Sequence, residues 1–170
     1  MEDIARRAEF GKGTLYLYFK NKEEILLYII TQGIENVTRD IETMFEGEAD
    51  VREALYQYMN LQYGFYRQYH SMILSLMRRK FDGTLLPHEL SGIMRMLDTI
   101  TDLVAAFLER GTREGIFVAV DSHKLARVMK NVLKGFSLEA LERKDMDMEK
   151  DLELIKMVLS YGIIVGGGEN

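Results

Sequence analysis

One hundred and seventy residues, 47% of them hydrophobic, suffice for a sizeable core, and a formal net charge of -5 excludes a polycation, so any nucleic-acid contact must come from a local patch. The absence of cysteine excludes disulfides, thiolate metal sites and thiol nucleophiles. No basic stretch followed by an apolar run opens the chain, and no apolar run approaches the roughly 20 residues that span a bilayer, so a soluble, cytoplasmic protein with no membrane partner is expected.

A single proline, Pro87, and glycines placed mostly between periodic segments predict an all-α chain. Residues 1 to 8 read as a short helix with Ile4 and Ala8 on one face. Glu9-Phe10-Gly11 forms a break, and 12 to 19 a second short helix with Leu15 and Phe19 inward. Asn21, with Glu24 three residues later, predicts a capping box opening a long helix from about Lys22 to Phe45. Its buried stripe is Ile25, Leu26, Ile29, Ile30, Ile34, Val37, Ile41 and Met44. Further helices are expected over 51 to 69, 71 to 81, 87 to about 111, 123 to 143 and 148 to 164. Asp82-Gly83-Thr84 makes a turn, residues 116 to 120 a short extended link, and Asp121 or Ser122 a cap. The final Gly-Gly-Gly stretch reads as a disordered tail.

Two short helices about a three-residue turn describe a helix-turn-helix. The second carries Lys12, Gly13, Thr14, Tyr16, Tyr18 and, just beyond it, Lys22. A helix lying in a major groove needs donors for phosphates and base edges outside and apolar anchors inside. Lys12, Thr14, Tyr16, Tyr18 and Lys22 can point out, while Gly13 clears the helix N-terminus, whose amides favour phosphate. Charge agrees with this division. Five basic and three acidic residues leave +2 over residues 1 to 22, and the remainder carries -7. Read residue by residue, the same segment is also an amphipathic helix with solvated lysines.

Residues 3 to 26, DIARRAEFGKGTLYLYFKNKEEIL, resemble the DNA-binding end of TetR-family transcriptional regulators. A looser resemblance covers RGTREGIF, the helix begun at Asp121, Gly135 and the last apolar helix. The resemblance implies phosphate contacts from Thr14, Tyr18 and Lys22, a base or sugar contact from Tyr16, and base reading by Lys12. It also implies a helix ahead of Ile4, covering the inner faces of the two short helices, that the chain lacks. In the turn the family usually has glycine, a small aliphatic and serine or threonine. Glu9 stands at the first position and would have to adopt a left-handed backbone.

Downstream, Tyr58, Met59, Gln62, Tyr66, Tyr69, Met77, Met94 and Phe107 suggest a deformable, mostly apolar effector cavity, or else an aromatic-rich core. Val128, Val132, Gly135, Phe136, Leu152, Ile155, Leu159 and Ile163 suggest a four-helix homodimer interface, or else packing within one chain. His70, His88 and His123 lack metal-ligand spacing, Arg78-Arg79-Lys80 reads as a solvated helix end, and no catalytic constellation appears.

The expectation is therefore a partial helix-turn-helix with its connecting helix over 1-46 and a ligand-binding and dimerisation domain over 47-170. Its function would be that of a ligand-responsive regulator, a repressor released from double-stranded operator DNA by a small apolar or aromatic effector. It would be no enzyme, with no cofactor and no metal. The alternative is a dimeric small-molecule binding protein that no longer engages DNA.

Overall fold

A computed structural model describes residues 1–47, 50–142 and 147–165. Seven helices run through them: α1 (Glu2–Arg7), α2 (Lys12–Tyr18), α3 (Lys22–Glu46), α4 (Val51–Phe81), α5 (Pro87–Arg113), α6 (Ser122–Glu142) and α7 (Met148–Ile163).

Most helix starts follow from local side-chain chemistry. At α3 the Glu24 N–H donates to Asn21 Oδ1 at 2.8 Å while Lys20 N–H donates back to Glu24 Oε2 at 2.7 Å. The Asn21 cap is as the sequence predicts, while Glu24 reaches back one residue further than a capping box requires, to Lys20, so two amides that would otherwise lack partners are satisfied. Asp50 Oδ1 accepts from the N–H groups of Arg52 and Glu53, and Asp121 Oδ1 from that of Lys124 at 2.9 Å. Pro87 opens α5, where a missing N–H removes nothing.

Two expected helices merge. Instead of breaking near His70, α4 continues unbroken to Phe81, because no glycine or proline stands near 70 to interrupt it and Ser71, exposed within the helix, does not by itself end one. At the other end of the chain α7 stops at Ile163, and Ile164 pairs with Phe117 in an antiparallel bridge. Val118 N–H donates to the Ile163 carbonyl at 2.7 Å and Val165 N–H to the Ile116 carbonyl at 2.8 Å, so the extended link after α5 is tied to the end of α7. The glycine tail and the expected end of α6 at Arg143 lie outside the described residues.

Helices α3 to α6 form the central bundle and α7 packs across α4 and α6. The α3 stripe of Ile25, Ile30, Ile34, Val37 and Ile41 is buried as expected. Phe45, not Met44, completes it, stacking on Phe107 with ring centroids 4.0 Å apart. In α1 the buried residue is Ala5; Ile4 is half-buried and Ala8 exposed. The stripe is displaced because α1 ends at Arg7 and leaves Ala8 as its C-cap.

Candidate functional site

The N-terminal head is two short helices about a strained turn. Glu9 has φ 58°, a region that costs a side-chain-bearing residue roughly 1–2 kcal/mol and that glycine enters freely. The turn closes when Phe10 N–H donates to the Ala5 carbonyl at 2.9 Å, and Gly11 then starts α2 without a side-chain cap. At the far end of α2, Phe19 leaves the helix in an extended conformation and its ring meets Tyr28 of α3 at 5.4 Å. This ring pair joins the end of α2 to α3, and the hydrogen bonds around Asn21 fix where α3 begins.

On the outer surface, Gly13, Thr14, Tyr16, Tyr18 and Lys22 are all exposed, Tyr18 at 76%. Nothing lies within 4 Å of where a Gly13 Cβ would project, leaving the backbone at the start of α2 open. Lys12 is the first residue of α2; its side chain lies outside the described residues. Leu15 and Phe19 are half-covered, on the side facing away from that surface. Leu17, 82% exposed, and Phe10, 60% exposed, are surface groups that the sequence pattern does not predict.

The expected effector residues are dispersed. Tyr58, Met59, Gln62, Tyr66 and Phe107 are buried to 5% exposure or less within the core, where burial pushes the Tyr58 and Tyr66 phenols well above their ordinary pKa. Met77 and Met94 lie on the surface instead, since the α4–α5 end carries the outward faces of both helices. Only Tyr69 reaches an open groove, a space of about 670 Å³ between α3 and α4.

The expected interface residues also divide. Val128 and Gly135 are exposed and Val132, Phe136 and Leu152 half-buried, whereas Ile155, Leu159 and Ile163 are buried in this chain's own core. The reason is that α7 is apolar on two faces. The stripe 155, 159, 163 turns inward, and the one left outside is Leu154, Met157, Val158 and Tyr161. That second stripe is readable at helical spacing. His123 Nδ1 stands 3.6 Å from Asp102 Oδ1, both exposed, and among the described residues no three histidine or acidic side chains converge as metal ligands.

An exposed, polar-aromatic second helix behind a short turn, followed by a capped helix into a helical body, is a helix-turn-helix arrangement, the class of head that DNA-binding regulators carry. Residues 1–29 match the model of the bacterial regulatory proteins of the tetR family. The whole chain aligns at 26% identity with 86% of an uncharacterised HTH-type transcriptional regulator, YhgD, of Bacillus subtilis strain 168. Its fold is similar to that of a Saccharomonospora viridis protein solved in complex with choline (TM-score 0.81, 20% identity, 96% of this chain and 86% of that one). It is also similar to that of the regulator FadR of Bacillus subtilis in complex with stearoyl-CoA (TM-score 0.72, 19% identity, 95% and 87%). The match over residues 1–29 and the full-length relative support a DNA-binding transcriptional regulator of tetR type, and the solved structures share its fold. No helix among the described residues is long and apolar enough to cross a membrane.

Proposed function

We propose that the chain is a homodimeric repressor that leaves its operator when a small molecule binds the body. In this reading residues 1–46 are the DNA-binding head with its connecting helix and 47–170 the sensor and dimerisation region. The observation that carries it is the outward exposure of Thr14, Tyr16 and Tyr18 along α2 and of Lys22 at the start of α3, within residues 1–22 of net charge +2, against -7 for the rest of the chain. Thr14, Tyr18 and Lys22 hold phosphates, Tyr16 meets a base or sugar, Lys12 reads a base edge, and Gly13 lets the α2 N-terminus approach the backbone.

Dimerisation is supported by the exposed apolar stripe of α7, Leu154, Met157, Val158 and Tyr161, together with exposed Val128 and Gly135 on α6. The complexes of two proteins of similar fold with choline and with stearoyl-CoA support an effector. Nuclease footprinting on the DNA upstream of the chain's own gene tests the reading. A protected near-palindrome with half-sites about one helical turn apart is expected. No protection at any site would favour a binding protein that no longer engages DNA.

A further inference from the structure

The groove between α3 and α4, about 670 Å³, falls within the roughly 300–1,000 Å³ of small-molecule sites. We propose that this groove, and not the buried aromatic set, receives the effector, and that the effector is a zwitterionic amphiphile of about dipeptide size. The proposal rests on the reading of the chain as an effector-controlled regulator and specifies the site and ligand class of that control.

The chemistry comes from the two walls. Asp40 lines the groove from α3 and Arg67 from α4. Among the described residues neither forms an ion pair, and the side chains of Asn36 and Gln68, which also line it, make no hydrogen bond. A guanidinium offers a planar fork that fits a carboxylate. An acid on the facing wall disfavours a ligand that is only anionic and welcomes an ammonium. The two primary amides of the same lining, Asn36 and Gln68, present both donors and acceptors, the complement of a peptide group. Val37, Leu61 and Phe65 supply apolar surface, and nothing lies within 4 Å of where a Gly64 Cβ would project, so the α4 backbone is open to close approach.

The same groove touches the element that carries the head. Tyr69 lines it, and its ring rests on bare α3 backbone at Gly33, where a Cβ would come within 2.7 Å of Cζ. The spacing of α3 and α4 is set at that contact, and a ligand that moves Tyr69 acts on it directly. Because the ring of Phe19, the C-cap of α2, packs on Tyr28 in the N-terminal part of α3, a shift of α3 reaches the DNA-facing surface.

Calorimetric titration of the full chain with phenylalanyl-leucine, and with its N-acetylated, C-amidated analogue, tests the assignment. Saturable binding of the dipeptide is expected, weakened at least about tenfold in Arg67→Ala, in Asp40→Ala and for the uncharged analogue. Both side chains are exposed, so neither substitution removes a core contact. Bound dipeptide should also lower operator affinity in a fluorescence anisotropy titration. The proposal is overturned if the dipeptide does not bind wild type, if either variant binds it as tightly, or if the uncharged analogue binds equally well. Failure of the ligand-free chain to bind operator would instead defeat the regulator reading, while dipeptide binding measured by calorimetry would still decide the groove assignment.

Discussion

Gly111 is where a single methyl group should do the most damage. A Cβ there would stand 2.3 Å from Cδ2 and 2.5 Å from Cε2 of Phe117, whereas non-bonded carbons rest about 3.5–4.0 Å apart. The ring cannot retreat along the chain. The N–H groups of Ile116 and Phe117 both donate to the Gly111 carbonyl, at 2.8 and 3.2 Å, and Val118 N–H is bound to the Ile163 carbonyl. Phe107 limits it on another side, with centroids 5.7 Å apart, and Phe117 is only 2% exposed. Gly111→Ala must therefore overpack the site, at about 1–3 kcal/mol, or expel a buried phenylalanine, at about 1.5–3 kcal/mol. At about 2–4 °C per kcal/mol for a chain of this size, a fall in Tm of about 4–10 °C is expected by circular dichroism. Gly92→Ala is the control, since nothing lies within 4 Å of its would-be Cβ and alanine favours a helix interior. A Gly111→Ala melt within about 2 °C of wild type would refute the view that close packing at this joint ties α5 to the end of α7.

Glu9→Gly should release the left-handed strain in the head, offset in part by glycine's unfolded-state entropy, for a net stabilisation of about 0.5–1 kcal/mol. Slower amide exchange at Phe10, which closes the turn onto Ala5, would register it. Asn21→Ala removes the acceptor of the Glu24 amide at the start of α3 and should cost about 1 kcal/mol, read as reduced protection at Glu24 by hydrogen exchange. Asp121 has its pKa held below the ordinary value, first by the hydrogen bond from the Lys124 backbone amide. Its contribution is thus complete above the unfolded-state carboxylate pKa and is lost as pH falls through the lower folded value. Asp121→Asn, which lacks the charge, should accordingly flatten the acid limb of Tm against pH by lowering Tm slightly near neutrality and leaving it nearly unchanged at low pH.

The helix starts are legible in the sequence because their chemistry is local: Asn21 with Glu24, Asp50, Pro87 and Asp121 each act within four residues. The expected break at His70 has no glycine or proline behind it, and without one the backbone of α4 continues. In α7 the choice of 155, 159 and 163 as an interface fails because an apolar helix with two stripes does not say which stripe its own chain covers. The groove is hidden for a different reason. Asp40 and Arg67 belong to separate helices, and only the packing of α3 on α4 sets them on facing walls. For the DNA-facing set, the dense motif around Thr14 to Lys22 names the residues, while the ring pair of Phe19 and Tyr28 that steadies them is visible only in three dimensions.

The central claim is that α2 and the start of α3 hold DNA phosphates. Fluorescence anisotropy titrations of wild type, Tyr18→Phe and Lys22→Ala on the chain's own upstream DNA at several salt concentrations test it most directly. Lys22→Ala should weaken binding and reduce the slope of log K against log salt by about 0.9 for each phosphate no longer neutralised, with the oligomeric state by light scattering unchanged. Tyr18→Phe should weaken binding by removing the hydroxyl donor, with little effect on that slope. Wild-type affinity and slope in both variants would contradict the claim.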